Sequence, residues 1–409
     1  MVKRFRMSEP HIVVVGAGPV GAVATLACAR RGHRVTLLEA ALAVDASPRA
    51  STTQPPTLEI IAELGLIDEY IAQGLVARHF QFWDRPARTL VAEFDFARLA
   101  DETPFPYVVQ TEQHKLANMA IARLRGMPDA RVELGVRVTG LTQTADVVLV
   151  HAEDGSGARE LAADYVIGCD GGRSTIRKSL DIEFEGYTWP ERFLVVTTTF
   201  DFQTILPCCL RNYMADPDEW TNLFKVAGDD GQGRWRAVYN TREDETEEEA
   251  LSEDAVRARL ARAYVPEGAR DWVHLNLYQV HQRVAKRFRA GRVFLCGDAA
   301  HVNNPIGGLG LNCGIHEAWD LAGLLDHVIT GKADAALLDR YERRRRPLNI
   351  EYVQEQTIAN KRRLEERDPA RRAERFAELA ATAADPARHK AFLMRASLIE
   401  SARRAAAVE

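Results

Sequence analysis

The chain has 409 residues, of which 46% are hydrophobic and 27% charged, and its formal net charge is −5. This length predicts two intergrown domains rather than one simple core, and the weak negative charge excludes a global attraction to nucleic acid or to an anionic membrane. Six cysteines lack the spacing of a zinc site or a disulfide framework. The apolar run after the basic start is too short for a signal peptide or a membrane span. We therefore expect a cytoplasmic protein with reduced thiols, no metal and no membrane span.

The segment IVVVGAGPVGAVATLACARRGHRVTLLEA predicts a strand, a glycine turn, a helix and a second strand. Residues 12–15 form a continuous apolar run, which is typical of a buried parallel strand. The alanine-rich residues 20–31 have helical spacing, and Gly32 ends the helix. The second strand, residues 35–38, leads to Glu39. This order is the beginning of a nucleotide-binding α/β domain.

The glycine triad in this segment has the spacing G-x-G-x-x-G. Gly16 permits a tight turn, Gly18 lets a pyrophosphate approach the backbone, and Gly21 lets the helix pack closely on the strand. The helix N-terminus supplies N–H groups and a positive dipole for phosphates. Glu39 is placed to accept hydrogen bonds from a ribose diol, and its charge would repel a 2′-phosphate. The residues thus predict a bound FAD or NAD rather than NADP.

Further along the chain, segments typical of helices alternate with segments typical of strands. Helices are expected at residues 57–74, 115–124, 252–264 and 310–329, and a β-meander at residues 132–165. Strand-like segments at residues 80–96, 193–202, 208–214, 221–227 and 234–240 predict an antiparallel sheet. We expect an FAD-binding domain from residues 1–79, 111–180 and 291–330, and a substrate domain from residues 80–110 and 181–290. Residues 331–409 are expected to be a charged helical region.

The run RVFLCGDAAH places Gly297 and Asp298 just past a buried strand, before NPIGGLGLN and a helix. With the glycine triad and the D-G motif at Asp170-Gly171, it resembles the flavoprotein aromatic hydroxylases of the para-hydroxybenzoate hydroxylase family over nearly the whole chain. The resemblance implies an α/β fold: an FAD-binding Rossmann-like domain of glutathione-reductase type, an inserted antiparallel-sheet substrate domain and C-terminal helices. It also selects FAD over NAD as the bound cofactor.

The resemblance also implies roles for individual residues. Asp298 would hold the ribityl chain, Pro305 would line the face of the flavin where oxygen reacts, and the backbone of Leu311 and Asn312 would meet the pyrimidine edge. The helix N-terminus at Gly310 would favour the anionic reduced flavin. Asn304 departs from the family, which often has a second proline there. Further cofactor contacts are expected at Arg49, Gln110, Val138, Asp170 and Gly297.

The implied reaction uses NADH or NADPH as a transient co-substrate, because the chain has no second nucleotide-binding glycine motif. Arg49 and Arg173 are candidate contacts for it. O2 would react with the reduced flavin to a C4a-hydroperoxide, which hydroxylates a phenolic or hydroxy-heteroaromatic ring. Ring-cleaving or Baeyer–Villiger oxygenation on the same fold remains an alternative, as does a non-enzymatic escort protein that keeps the FAD fold. A homodimer is among the expectations.

Three side chains in the predicted antiparallel sheet are candidates for binding the small aromatic substrate. Arg211 and Tyr213 share a face by two-residue alternation, as do Arg234 and Arg236, and one of these arginines, if it faces inward, could anchor a substrate carboxylate. A solvent-facing orientation of the arginines is the competing interpretation. His301 is a candidate for proton transfer, although a structural role is the alternative. The four arginines at residues 343–346 are expected to form a solvated or subunit-facing helix surface rather than a nucleic-acid site.

Overall fold

The computed structural model of the protein describes residues 10–47 and 51–409. The strands are β1 (His11–Val15), β2 (Arg34–Glu39), β3 (Thr52–Thr53), β4 (Leu75–Ala77), β5 (His79–Asp84), β6 (Thr89–Asp95), β7 (Val108–Gln110), β8 (Ala130–Leu134), β9 (Arg137–Gln143), β10 (Val148–Asp154), β11 (Gly157–Ala163), β12 (Tyr165–Gly168), β13 (Phe184–Thr198), β14 (Arg211–Ala215), β15 (Thr221–Val226), β16 (Arg234–Asn240), β17 (His274–Ala285), β18 (Arg289–Ala290), β19 (Val293–Leu295) and β20 (His301–Val302).

The α-helices are α1 (Pro19–Ala29), α2 (Pro55–Glu63), α3 (Ile67–Ala72), α4 (Gln113–Leu124), α5 (Thr175–Ser179), α6 (Glu247–Leu251), α7 (Glu253–Arg262), α8 (Gly310–Ile329), α9 (Asp339–Asn349), α10 (Glu355–Leu364), α11 (Pro369–Ala384), α12 (Pro386–Ala396) and α13 (Ile399–Ala407). A π-helical turn at Ile350–Gln354 joins α9 to α10. No helix among the described residues is long and apolar enough to cross a membrane.

A six-stranded sheet in the order β18–β19–β12–β1–β2–β8 carries the nucleotide-binding motif. Strands β19, β12, β1, β2 and β8 run parallel, and β18 pairs antiparallel at the edge. Helix α1 packs against both α8 and α4. The apolar runs of β1 and β19 are wholly buried, as expected for strands covered on both faces. Every motif expected to touch the cofactor leaves this sheet at the carboxyl end of a strand.

An eight-stranded sheet in the order β20–β17–β13–β16–β15–β14–β5–β6 forms the second layer. Its pairs are antiparallel except β14 with β5. One face packs on α7, and the other faces residue Ile306 and the C-terminal helices. Two three-stranded sheets, β11–β10–β9 and β3–β7–β4, complete the structure.

The expected α/β fold class is confirmed, and most expected elements are present within a few residues. Strand β13 begins at Phe184, earlier than expected, and the long strand β17 was not predicted as an element because its polar His and Gln residues obscure the apolar alternation. Strand β20 adds to the eight-stranded sheet from outside the expected substrate-domain segments. The division of the chain at the expected domain boundaries stays a prediction.

The expectation of a solvated surface for the four-arginine run is wrong for three of the four residues, whereas Arg343 is exposed as expected. Arg344 and Arg345 both pair with Asp320 of α8 at 2.9 Å, and the side chains of all three residues are at most 14% exposed. Arg344 also donates to the carbonyl of Val408, and Arg346 to that of Ala285. The run lies in α9, which packs on α8, so its charges are used inside the molecule to hold the C-terminal chain.

Candidate active site

The glycine turn after β1 has no room for side chains. Gly16 has a φ of +101°, and a Cβ there would lie 2.4 Å from the carbonyl oxygen of Cys169. A Cβ on Gly21 would lie 1.9 Å from the carbonyl oxygen of Gly16. Both positions therefore require glycine, because any side chain would push α1 away from the strand ends.

Open space remains at the start of α1. Gly18 immediately precedes the helix, and a Cβ there would meet nothing within 4 Å. Pro19 occupies the first helical position, which needs no N–H donor. The helix N-terminus is thus accessible to a phosphate, as an anion-binding site requires.

Glu39, at the end of β2, lies beside this turn. Its carboxylate accepts hydrogen bonds from the backbone N–H groups of Ala17 at 2.7 Å and Ala41 at 2.9 Å, and the side chain stays half-buried. The N–H of Val136 donates to the carbonyl of Glu39, which brings the start of β9 alongside. Val138, two residues further on, is buried. The glycine turn, Glu39 and β9 therefore meet at one sheet edge.

The D-G turn after β12 is held by its own side chain. Asp170 accepts from the hydroxyl of Ser174 at 2.5 Å and from the N–H of Ile176 at 3.1 Å, so it caps the short helix α5. Burial raises the pKa of Asp170. Arg177 then donates to the carbonyls of Gly172 and Ala299, both at 2.8 Å, which joins the D-G turn to the G-D turn. Sequence reasoning missed Arg177, because nothing in the local pattern indicates these distant partners.

The G-D turn after β19 is braced from α8. The buried Glu317 accepts from the N–H of Gly297 at 2.8 Å and pairs with Nε2 of His301 at 2.7 Å. Asp298 itself is exposed at the carboxyl end of the sheet. His301 and Glu317 are fully buried, so the contacts of His301 hold the turn, and proton transfer by His301 stays a prediction.

The ionisation of His301 follows from this pair. Burial alone would lower the pKa of His301, but the Glu317 carboxylate and the hydrogen bond with Cys313 outweigh it and hold the pKa well above its ordinary value. His301 and Glu317 thus form a buried hydrogen-bonded pair behind the turn, in which the neighbouring carboxylate favours the protonated form of the imidazole.

The loop between β20 and α8 presents Pro305 to the open side. Pro305 is exposed, whereas Asn304 is fully buried. The N–H of Asn304 donates to Oε1 of Gln282 at 3.1 Å, and its Oδ1 accepts from the N–H of Ile306 at 3.1 Å. Gln282 in turn donates to Gln354 in the π-helical turn at 2.7 Å. Buried amide groups therefore fix the loop where the family often has proline.

The start of α8 follows directly. Asn312 is fully buried, and its side chain accepts from the N–H of Gln54 at 2.8 Å and donates to the carbonyls of Thr52 and Gly308. The side chain of Asn312 is thus structural, and the backbone N–H groups of Gly310 and Leu311, in the first turn, have no intrahelical acceptor. The helix presents its positive end beside Pro305.

Two buried amides near this helix start have an atom without a hydrogen-bond partner. Nε2 of Gln110 and Oε1 of Gln54 are both buried and unpartnered, although Gln110 accepts from Thr52 at 2.5 Å and Gln54 donates to the carbonyl of Gly307 at 3.3 Å. Buried polar atoms normally find partners. A donor and an acceptor left without one, beside an open helix N-terminus, fit a bound ring system that has both acceptors and donors. Sequence reasoning missed Gln54, which follows no recognised motif.

Arg211 and Tyr213 lie on the face of the eight-stranded sheet that packs toward this loop. The two side chains are buried and hydrogen-bonded to each other at 2.5 Å, and Arg211 also donates to the carbonyl of Gly307 at 2.9 Å. The guanidinium lies 5.2 Å from the ring centre of Phe80. The solvent-facing alternative for Arg211 is therefore excluded.

Aromatic side chains and the C-terminal helices enclose the space around Arg211. The cavity is partly open to solvent, and its walls include Phe80, Phe82, Phe96, Ile306, Asn360 and Phe392. Phe392 of α12 stacks on Phe94 with ring centres 4.3 Å apart. Sequence reasoning assigned no site residue to this helical region, because its high charge hides the few apolar residues that close the pocket.

Arg236 lies elsewhere on the same face. It is buried, its Nη2 is 3.9 Å from Oε1 of Glu112 at the start of α4, and it does not line the cavity around Arg211. Burial lowers its pKa. Arg49 lies outside the described residues.

Comparison with known proteins gives the family. The model of the FAD binding domain family matches residues 9–356. The chain is 34% identical to para-nitrophenol 4-monooxygenase of Pseudomonas sp. strain WBC-3, over 88% of this chain and 89% of that protein. It is 31% identical to 6-hydroxy-3-succinoylpyridine 3-monooxygenase HspB of Pseudomonas putida strain DSM 28022 / S16, over 88% and 90%.

Solved structures agree. The crystal structure of p-nitrophenol 4-monooxygenase PnpA from Pseudomonas putida DLL-E4 superposes with a TM-score of 0.86 at 33% identity, and the match covers 96% of this chain and 97% of that one. A ternary complex of aklavinone-11 hydroxylase with FAD and aklavinone has a TM-score of 0.75 at 26% identity, over 88% of this chain and 70% of that one. The chain belongs to the FAD binding domain family and is an FAD-dependent monooxygenase of the aromatic-hydroxylase class.

Proposed function

We propose that the enzyme hydroxylates a small phenolic or hydroxy-heteroaromatic ring bound beside Arg211, with NADH or NADPH and O2 as co-substrates. The observation that most directly supports this proposal is the hydrogen bond from Arg211 to the carbonyl of Gly307. This contact joins an aromatic cavity to the loop that leads into α8. The named relatives act on a nitrophenol and a hydroxypyridine derivative, which are single hydroxylated rings.

The residues that would hold FAD follow one edge of the six-stranded sheet. The pyrophosphate would lie at Gly16, Gly18 and Gly21, and the adenosine at Glu39 and Val138. The ribityl chain would meet Asp298, next to Gly297, with Asp170 close by. The ring would lie among the unpartnered atom of Gln110, the exposed Pro305 and the backbone of Gly310, Leu311 and Asn312. When bound, FAD supplies the redox chemistry and transfers one oxygen atom from O2 to the substrate.

The chain's own residues would orient the substrate and exclude water. Arg211 is held by Tyr213 and Gly307, so its remaining N–H groups can donate to an acceptor or anionic substituent without reorganisation. The aromatic walls keep water away from the reacting carbon, which protects the oxygenating species from loss as peroxide. No described residue stands out as a base for the phenol; His301 is fully buried and is not among the residues that line the cavity.

The first test is the cofactor and the product. Purified protein is expected to be yellow and to release FAD, not FMN, on denaturation. A set of phenols and hydroxypyridines is then screened for compounds that accelerate NAD(P)H oxidation, and the products are identified by mass spectrometry with ¹⁸O₂. Incorporation of one labelled oxygen into an intact ring supports hydroxylation. A ring-opened or ester product would support the alternative oxygenations, and absence of flavin after reconstitution would remove the proposal.

A homodimer and a cytoplasmic location stay predictions. Light scattering of the purified holoenzyme measures the first, and fractionation of the source cells measures the second.

A further inference from the structure

The cavity-facing side of the eight-stranded sheet can be followed from strand to strand. Tyr213 of β14 pairs with Asn222 of β15, which pairs with Val238 of β16. Directly opposed residues in antiparallel strands point to the same face. Tyr213 and Val238 belong to the same apolar cluster as Ile306 of the loop before α8. Asn222 therefore lies on the face that covers the candidate site, in the row next to Arg211 and adjacent to Tyr213, but it is not one of the residues that line the cavity around Arg211.

Asn222 is a polar side chain set among these apolar neighbours. It is only 7% exposed, and its Oδ1 is buried without a hydrogen-bond partner. Strand β13, on the far side of β16, adds a second such atom, Oγ1 of Thr197, which is opposite Arg236. A buried acceptor without a donor destabilises the free protein. Its presence on the substrate face indicates that a bound molecule supplies the donor.

The distance between Asn222 and Arg211 suits one aromatic ring. Arg211 pairs with Phe224, so Asn222 is its diagonal neighbour on the adjacent strand. Diagonal neighbours lie about 7–8 Å apart, which is the span of one six-membered ring with a substituent on each side. Arg211 offers N–H donors and Asn222 a carbonyl acceptor.

We propose that Asn222 determines substrate specificity by accepting a hydrogen bond from a ring hydroxyl, an inference that rests on the proposed function. Arg211 donates to a second substituent, which is an acceptor or an anion. The substrate class is thus a single ring with a hydroxyl and an acceptor group, such as a nitro, acyl or carboxylate group, on different sides of the ring. A ring that lacks the hydroxyl leaves Oδ1 of Asn222 buried and unpartnered, so it binds more weakly.

The test measures binding to the FAD-loaded enzyme without NAD(P)H, by the change in flavin absorbance. The probes are 4-nitrophenol, kept below its pKa, and nitrobenzene. The wild-type enzyme is expected to bind 4-nitrophenol at least about tenfold more tightly than nitrobenzene, because only 4-nitrophenol gives the buried Oδ1 of Asn222 a hydrogen-bond donor. Asn222→Leu is expected to remove this preference, and Asn222→Asp, which keeps an acceptor, is expected to retain it. Lys225→Met, on the same strand but the opposite face, should leave it unchanged.

The outcomes separate this proposal from the function itself. If the wild-type enzyme hydroxylates a phenol but Asn222→Leu keeps the full preference for the hydroxyl, the subsite is overturned and the function stands. Loss of FAD affinity in Asn222→Leu with unchanged phenol preference also overturns it, because Asn222 would then contact the cofactor. If the wild-type enzyme binds neither probe nor any phenol of the screen, both proposals fail.

Discussion

At the scale of single residues, the candidate site depends on buried polar side chains that hold turns in place. Glu317 fixes the backbone of Gly297, Arg177 joins two turns, and Asn312 ties α8 to the segment before α2. Each of these side chains has several partners, so their loss would move a turn rather than remove a single contact. Asp298 differs from them in being exposed, at the carboxyl end of the six-stranded sheet.

Replacement of Asp298 therefore tests the cofactor assignment. Asp298→Ala is expected to weaken FAD binding at least tenfold and to leave the fold intact, because a hydrogen bond to a charged acceptor contributes about 1.5–3 kcal/mol. The measurement is titration of apoprotein with FAD, with the melting temperature as the check on folding. Asp146→Ala, in an exposed turn, is the matched control. Equal FAD affinity in Asp298→Ala and the control would contradict the assignment.

The pair of His301 and Glu317 makes a pH-dependent contribution to stability. Because the pKa of His301 is raised in the folded protein, this contribution is fully present below the unfolded value of about 6.5. It is lost as the pH rises through the folded value. His301→Gln is expected to destabilise the protein by about 3 kcal/mol in the acidic part of this range, and by less as the pH increases.

Denaturant unfolding of the holoenzyme at several pH values measures this difference. His327→Gln, at an exposed histidine of the same α8 region, should show no such trend. A difference between wild type and His301→Gln that grows with pH would mean that the pair is not charged.

At the scale of elements, the C-terminal helices are part of the pocket and not an appendage. Helix α10 supplies Asn360 and α12 supplies Phe392 to the cavity wall, and the π-helical turn between α9 and α10 places Gln354 against Gln282. Pro347 lies inside α9, where it cannot donate to the preceding turn. Irregular helical turns of this kind often occur beside functional sites, and here the turn supports the loop that presents Pro305.

Truncation of one wall residue tests this organisation. Phe392→Ala removes the ring stacked on Phe94 and is expected to weaken binding of a phenol about tenfold, with a loss of about 2 kcal/mol in stability and little change in FAD affinity. Kd values for FAD and for the phenol are measured separately. Arg388→Ala, on an exposed position of the same helix, should change neither. A Phe392→Ala enzyme with normal phenol affinity would show that the substrate binds elsewhere.

At the scale of the whole molecule, the candidate cofactor site lies between the six-stranded sheet and the eight-stranded sheet. The sequence contains a single nucleotide-binding glycine motif. Without a second such motif, we expect no separate nucleotide-binding domain for NADH or NADPH. Hydride transfer is then expected to depend on a movement that substrate binding triggers.

NAD(P)H oxidation should therefore be slow alone and faster by about an order of magnitude or more with the right aromatic compound. Anaerobic stopped-flow reduction, with and without a verified substrate, measures it. If the flavin is reduced equally fast with and without substrate, reduction does not depend on substrate binding. That result would favour an enzyme that reacts with oxygen before its substrate binds.

The sequence by itself determined the nucleotide-binding half of the protein. The glycine triad, Glu39 and the G-D motif could be predicted because local spacing places them at the ends of buried strands, and the structure brings those strand ends to one edge. Their chemistry depends on backbone and neighbours within a few residues, so a linear pattern is enough to indicate it.

Only the tertiary structure decided how the substrate side is built. Alternation put Arg211 and Tyr213 on one face but could not say which face is buried, and Asn222, Gln54 and Phe392 carry no local signal. Their positions follow from pairing between strands and from packing of helices that are distant in the chain. For the same reason, the solvated surface expected for Arg344 and Arg345 was wrong: a charged run has the pattern of a solvated helix until the acid on another helix that pairs with it is known.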